Sequence, residues 1–242
     1  MPLSGATIAF DLDGTLVETA PDLIGALNLL LAERDLPPLP VSAARTLVGR
    51  GGKALLLRGF AAAGRPLDEA EAPGLFDRFI EVYLGRIAAE SRAYPGVEAA
   101  LDDLAAAGAK LAVCTNKRTD LSVALLDALG MTSRFAAVIG ADKAPRPKPD
   151  PSHFLHTMAA SGGDPAYALM VGDSINDVAS AQGAGAPVVV VSFGYTDTPA
   201  AELGGDALID HFDELPAVSR RLLSALRGQA GSDIASPSRA DA

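Results

Sequence analysis

Residues 6–16 read Ala-Thr-Ile-Ala-Phe-Asp-Leu-Asp-Gly-Thr-Leu, an apolar run that ends abruptly in two carboxylates. The run Ala6 to Phe10 has the length and content of a buried strand. Gly14 permits a sharp turn directly after it, because glycine tolerates backbone angles that other residues avoid. The stretch therefore predicts a central strand with Asp11 and Asp13 at its carboxyl end.

Similar apolar runs recur along the chain and alternate with Ala-rich segments of helical character. Buried strands separated by helices are typical of a parallel sheet covered on both faces, because each crossover must lie over the sheet. We therefore predict an α/β fold with a doubly wound, Rossmann-like core. The further predicted strands are Lys110 to Cys114, Ala136 to Gly140, Ala168 to Gly172 and Pro187 to Val191.

Roughly a hundred residues separate the first predicted strand from the second, far more than one crossover helix requires. Their Leu and Ala spacing predicts helices over Asp22 to Arg34, Gly52 to Ala63 and Pro73 to Ala89. We predict an inserted helical cap. The expected division is an α/β core of residues 1–17 and 93–227, a cap of residues 18–92, and a disordered, Gly- and Ser-rich tail of residues 228–242.

Composition narrows the possible partners. The chain has 242 residues with a formal net charge of −10, which argues against nucleic acid or an anionic membrane as partner. Its one cysteine, Cys114, lies in an apolar run and is expected to be buried. No segment reads as a signal peptide or a membrane span, so a cytoplasmic location is expected.

Polar residues follow the predicted strands at the edge where ligands bind in open parallel sheets. Thr115 ends the second strand and should be exposed there, and Asp173 ends the fourth. Asp177 lies four residues further on, on the same side of the following helix. Lys148 stands between two prolines that restrict its backbone. Several carboxylates, a hydroxyl and an ammonium group are thus predicted to meet.

Such crowding of carboxylates is costly without a cation. Oxygen ligands with room for water suit Mg²⁺. The histidines do not form a zinc site, and His153 with His156 is expected to belong to an ordinary helix face.

These residues resemble the haloacid dehalogenase superfamily of phosphohydrolases, whose motifs match Asp-Leu-Asp-Gly-Thr at Asp11, then Thr115, Lys148 and the Gly-Asp-Ser run at Asp173. The resemblance implies that Asp11 is the nucleophile that forms an aspartyl-phosphate and that Asp13 is the general acid and base. It also implies a Mg²⁺ site formed by Asp11, Asp13 and Asp173. Thr115, Lys148 and Asn116 would hold the phosphoryl group, and Ser174, Asn176 and Asp177 would support the site from behind.

Basic residues cluster in the predicted cap, where no acidic residue occurs between Asp35 and Asp68. A positive cap would attract a substrate that carries a carboxylate as well as a phosphate. The best candidate for binding this anion is the loop Gly49-Arg50-Gly51-Gly52-Lys53, because its small residues let backbone N–H groups approach an anion at the start of a helix. This loop and Phe193 to Tyr195 resemble the phosphoglycolate phosphatase branch of the family, which implies 2-phosphoglycolate as substrate. The basic residues are Arg45, Arg50, Lys53, Arg58 and Arg65.

Other functions fit parts of the pattern. A phosphatase of another small phosphorylated metabolite, or a sugar phosphomutase, would use the same Asp11 and Asp13. A dehalogenase would not require Asp13, and a phosphonate hydrolase would lack an acid there. A non-catalytic binding protein on the same fold is the alternative outside enzymes. The oligomeric state has no signature in the sequence.

Overall fold

The computed structural model describes residues 3–68 and 70–234. Its strands are β1 (Thr7–Phe10), β2 (Val17–Glu18), β3 (Arg92–Ala93), β4 (Lys110–Cys114), β5 (Ala137–Ile139), β6 (Ala168–Gly172), β7 (Val188–Val191) and β8 (Ala207–Ile209). Its α-helices are α1 (Ala20–Ala32), α2 (Ala44–Leu47), α3 (Gly52–Ala62), α4 (Ala72–Leu84), α5 (Val97–Ala106), α6 (Thr119–Ala128), α7 (Pro151–Ala160), α8 (Ile175–Gly183) and α9 (Leu215–Ile234).

The larger sheet has six strands in the order β5-β4-β1-β6-β7-β8, and every neighbouring pair is parallel. β1 lies between β4 and β6, although they are far from it in sequence. The predicted α/β fold with a doubly wound parallel sheet is confirmed. This strand order determines which loops become neighbours at the carboxyl edge.

Both faces of the sheet are buried, as the near-continuous apolar strands require. In β6, Leu169 and Val171 pack in one apolar cluster while Met170 packs in the cluster on the opposite face. Phe154 of α7 and Val178 of α8 belong to the same cluster as Met170. The alternation explains why these strands read as unbroken apolar runs.

The predicted strands are present, each within one residue of the expected bounds. Cys114 is buried, as expected. Strand β8 was not predicted, because it is three residues long and carries Leu208, which is exposed. Strands β2 and β3 were not predicted either, because they have two residues each and carry no periodic pattern of their own.

Helices α1 to α4 lie between β2 and β3 and form the insert. β2 pairs antiparallel with β3, through Val17 with Ala93 and Glu18 with Arg92, so the outgoing and returning chains are joined side by side. The helices share an apolar cluster that includes Leu27, Leu56, Phe60 and Phe79. The three predicted cap helices correspond to α1, α3 and α4. That this insert is a separate domain remains a prediction.

The end of the chain differs from the expectation in part. The predicted disordered tail starts at residue 228, but helix α9 continues to Ile234. Residues 235–242 lie outside the described residues. Within the described part of the chain, no helix has both the length and the apolar content needed to cross a bilayer.

Asp22 of α1 joins the insert to the segment that returns to the core. Its buried carboxylate accepts hydrogen bonds from the backbone N–H of Glu90 (3.0 Å) and Ser91 (2.8 Å), from the Ser91 hydroxyl (2.7 Å) and from Arg86 Nε (3.2 Å). Burial acts to raise the pKa of Asp22, but these hydrogen bonds hold it below its ordinary value. The stabilisation is therefore present above the ordinary pKa of an aspartate and is lost as the pH falls through the lowered value.

We expect Asp22→Ala to lower the free energy of unfolding by about 1–3 kcal/mol, because buried N–H groups lose their acceptor. Urea unfolding at neutral pH measures this change. Asp77→Ala is the matched control, since Asp77 lies in α4 of the same insert and is exposed. An equal effect of the two substitutions would contradict the role assigned to Asp22.

Candidate active site

The carboxyl ends of β1, β4 and β6 meet at one edge of the sheet, because these three strands are neighbours and parallel. Asp11 follows β1, Thr115 follows β4 and Asp173 follows β6. All three side chains are buried beneath the insert. Thr115 was expected to be exposed, and this is wrong because the insert closes the cavity that it lines.

Asp11 lies at the floor of this cavity. Its Oδ1 atom accepts a hydrogen bond from the backbone N–H of Leu12 (2.7 Å) and lies 3.1 Å from Lys148 Nζ. Burial raises the pKa of Asp11 to about 6, although the Lys148 ammonium opposes the rise. The free carboxyl group is therefore mostly ionised at neutral pH.

Lys148 carries the ammonium group that was predicted to lie near these carboxylates. Its Nζ atom donates to Asp177 Oδ1 (2.6 Å) and to the carbonyl oxygen of Cys114 (2.6 Å), in addition to its contact with Asp11. Burial acts to lower the pKa of Lys148, but the two carboxylates raise it above its ordinary value. The side chain is therefore a permanent cation between two acidic residues.

His153 holds the backbone of the Lys148 loop. The ring accepts a hydrogen bond at Nδ1 from the Lys148 N–H (3.2 Å), and Nε2 lies 3.2 Å from the carbonyl oxygen of Ile139. Burial and the nearby ammonium lower the pKa of His153 to about 4, so the ring is neutral and Nε2 donates to Ile139. His153 and His156 both lie on a helix, α7, as expected, and His153 is on its buried face.

Asp173 and Asp177 complete a group of buried carboxylates with Asp11, whose oxygen atoms lie within 4.8 Å of one another. Asp173 accepts hydrogen bonds from Thr15 Oγ1 (3.0 Å) and from the N–H of Tyr195 (2.6 Å). Burial, and then repulsion by the other two carboxylates, raises the pKa of Asp173 well above its ordinary value. This arrangement could hold a cation.

The polar residues predicted to surround the carboxylates, Ser174, Asn176 and Asn116, form hydrogen bonds with different partners. Ser174 donates to Asp177 Oδ2 from its N–H (3.0 Å) and from its hydroxyl (2.7 Å), at the start of α8. Asn176 instead donates to the carbonyl oxygen of Gly49 in the insert (3.2 Å). Asn116 donates to the carbonyl oxygen of Lys148 (3.0 Å). Asn176 therefore joins insert to core.

The loop predicted to bind an anion lies against this edge. Gly51 directly precedes α3 and has a φ of +82°, and a Cβ atom there would lie 3.3 Å from the carbonyl oxygen of Asn116. Gly51 and Gly52 line the inner cavity. Arg50 and Lys53 are exposed and line an outer cavity, together with Lys148.

Asp13 does not join the group of carboxylates formed by Asp11, Asp173 and Asp177. Its carboxylate accepts from Lys117 Nζ at both oxygens, at 2.9 and 3.2 Å. The same Nζ atom donates to the hydroxyl of Tyr83 in α4 (2.8 Å). Burial acts to lower the pKa of Lys117, but Asp13 and Tyr83 raise it above its ordinary value. Neither Lys117 nor Tyr83 was among the residues predicted to form the site.

Signals for the missed residues differ in strength. Lys117 stands two residues after Thr115, so its position at a strand end could have identified it. Tyr83 lies inside an amphipathic helix, and nothing in the local pattern separates it from other core residues. Tyr195 belongs to the stretch Phe193 to Tyr195 that carries the family resemblance, but nothing in the sequence indicates its contacts. Its hydroxyl accepts from the N–H groups of Thr19 and Ala20, and its N–H donates to Asp173.

Known proteins share this arrangement of sequence and fold. Residues 6–185 match the sequence model of haloacid dehalogenase-like hydrolases. The chain is 59% identical over 222 residues to a phosphoglycolate phosphatase of Caulobacter vibrioides, covering 92% of this chain and 94% of that protein. It is 46% identical over 224 residues to a phosphoglycolate phosphatase of Agrobacterium fabrum, covering 92% and 96%.

A solved structure shows the same likeness in three dimensions. The crystal structure of a predicted phosphoglycolate phosphatase from Haemophilus somnus 129PT superposes with a TM-score of 0.82 and 32% sequence identity. The match covers 90% of this chain and 99% of that chain. It therefore includes the insert as well as the sheet.

Proposed function

Since the chain belongs to the haloacid dehalogenase-like hydrolases and is a phosphatase, we propose that it hydrolyses 2-phosphoglycolate to glycolate and phosphate with the help of Mg²⁺. The observation that carries the mechanism is the meeting of Asp11, Lys148 and Asp173 at one edge of the sheet. The substrate is supported by the names of the relatives. A cytoplasmic location is part of the proposal, supported by Cys114 being the one cysteine of the chain, which allows no intramolecular disulfide.

The donor set fits Mg²⁺. Asp11, Asp173 and Asp177 offer buried carboxylate oxygens, and among the described residues no salt bridge neutralises Asp173. Hard oxygen ligands of this kind suit a small divalent cation. We propose that Asp11, Asp173 and the backbone carbonyl of Asp13 hold the ion. When bound, Mg²⁺ would offset the negative charge of the substrate phosphoryl group.

Asp177 has a different role in this proposal. Its two oxygens are occupied by Lys148 and by Ser174, so it positions both residues and is less available to the metal. Lys148 and Thr115 would hold the phosphoryl oxygens. The backbone N–H groups of the loop after Asp11 and the backbone N–H group of Asn116 would also donate to these oxygens. Lys148 can do so because it remains charged at all physiological pH values.

Asp11 acts first as the nucleophile. A carboxylate oxygen of Asp11 forms a bond to phosphorus as the bond from phosphorus to the glycolate oxygen breaks. Asp13, which is paired with Lys117 in the free protein, first takes up a proton from solvent as that pair opens. It gives this proton to the departing oxygen, so that glycolate leaves as the alcohol. Asp13 then takes a proton from water, whose oxygen attacks phosphorus while the bond to Asp11 breaks. Phosphate is released, and both aspartates return to their starting states.

A turnover screen of phosphorylated metabolites tests the proposal. We expect 2-phosphoglycolate to have a higher kcat/KM than monoesters without a carboxylate, and we expect EDTA to remove activity that added Mg²⁺ restores. Equal turnover of all monoesters would refute the substrate, and activity that survives exhaustive EDTA treatment would refute the metal. Sugar phosphates in the panel, assayed for isomerisation as well as phosphate release, test for a phosphomutase.

A further inference from the structure

Lys117 is a buried cation on the wall of the inner cavity. Its side chain is 5% exposed, and its Nζ atom lies 4.6 Å from the centre of the Tyr83 ring as well as in contact with the Tyr83 hydroxyl. Tyr83 is itself fully buried and stacks on Phe79, with ring centres 6.0 Å apart. One side of the Lys117 ammonium group is therefore in contact with Tyr83 of helix α4.

All three donors of the Lys117 ammonium have partners, namely the two oxygens of Asp13 and the hydroxyl of Tyr83. Both oxygens of Asp13 are likewise engaged by Lys117. In the mechanism above, Asp13 must instead turn to the oxygen that leaves phosphorus. The ion pair seen in the free protein therefore has to open before Asp13 can act.

An anion is needed to open the pair, because a buried ammonium that loses its carboxylate without replacement is strongly destabilised. The other carboxylate that lines this cavity, Asp11, is already paired with Lys148, and the remaining walls are largely apolar. The apolar lining residues are Leu23, Val48, Leu55, Phe76, Phe79, Ile80 and Leu121. The replacement anion must come with the substrate.

Resting on the proposed function, we infer that the substrate's own carboxylate takes the Lys117 ammonium from Asp13. Lys117 thereby recognises the carboxylate and at the same time frees Asp13, which takes up a proton from solvent and can then protonate the leaving oxygen. Substrates without a carboxylate leave the pair closed and react slowly. Arg50 and Lys53, two exposed cations of the insert, line the outer cavity. Their role in this inference is to attract the negatively charged substrate.

Lys117→Met tests this inference with two substrates. Ethyl phosphate has the size of 2-phosphoglycolate, with a methyl group in place of the carboxylate. We expect kcat/KM for 2-phosphoglycolate to fall about a hundredfold, as loss of a buried ionic partner does. Ethyl phosphate turnover should stay equal or rise, because Asp13 is then free. Lys143→Met, which alters an exposed lysine, should change neither.

A second experiment supplies the carboxylate separately. Methyl phosphate and formate together contain the groups of 2-phosphoglycolate, so formate should accelerate methyl phosphate hydrolysis by the unaltered protein, with chloride at equal ionic strength as control. Lys117→Met should abolish the acceleration. If Lys117→Met does not fold, the effect of formate on the unaltered protein still tests the inference.

The outcomes separate the inference from the proposed function. If the unaltered protein shows no preference for 2-phosphoglycolate, the proposed substrate is wrong, and the formate experiment still tests Lys117. If the preference exists but Lys117→Met lowers turnover of both substrates equally, or formate has no effect, the exchange of partners does not occur.

Discussion

Asp11→Asn should lower phosphate monoester turnover by a factor of about 10⁴ or more, because an amide cannot serve as the nucleophile and the loss of such a group is rarely compensated. The protein should remain folded. Lys148 keeps Asp177 as an ionic partner, and the substitution removes one of three mutually repelling carboxylates. Phosphate release measures the activity, and thermal unfolding measures the fold.

Asp127→Asn serves as the matched control, since Asp127 is exposed on α6, and it should retain full activity. Acid-quenched samples of the unaltered protein during turnover should contain a phosphorylated peptide that includes Asp11, detectable by mass spectrometry. The same peptide from Asp11→Asn should be unmodified. Turnover that survives in Asp11→Asn would overturn the mechanism.

Lys148→Met should lower the free energy of unfolding by about 3–5 kcal/mol in EDTA, because removal of one partner leaves buried charges uncompensated. The ammonium contacts Asp11 at 3.1 Å and Asp177 at 2.6 Å, and its side chain is 1% exposed. Urea unfolding provides the measurement. Lys143→Met, an exposed lysine in the same loop, should change stability by no more than about 0.5 kcal/mol.

A double substitution tests the cause of that loss. Lys148→Met with Asp177→Asn removes the cation together with one of the two carboxylates it neutralises. The double variant should therefore be more stable than the sum of the two single effects predicts. If the effects simply add, or if Lys148→Met is no worse than Lys143→Met, the ion pair does not carry the stability assigned to it.

The elements that carry the site were predictable because their signals are local. The apolar run before Asp11 and the run before Asp173 have strand length and end in polar residues, and β1 and β6 are found there. Parallel strands place their carboxyl ends at one edge, so the approach of these residues follows from the fold class. The short strands β2, β3 and β8 were missed because two or three residues carry too little pattern.

Residues whose role depends on partners distant in sequence were misjudged or missed. His153 reads as part of an amphipathic helix, yet its ring holds the Lys148 backbone. Thr115 was placed correctly at a strand end, but its burial depends on the insert above it. Lys117 reads as a polar residue after a strand, and only the packing of α4 brings Tyr83 to its ammonium.

The order of apolar runs and the polar residues at their ends determined, from the sequence alone, a parallel α/β sheet with Asp11, Lys148 and Asp173 at one edge. These features depend on strand periodicity and chain direction, which neighbouring residues encode. The pairing of Asp13 with Lys117 was decided only by the tertiary structure. A buried charge takes whichever counter-charge the packing brings within reach, and here a core loop and an inserted helix together supply the surroundings of that pair.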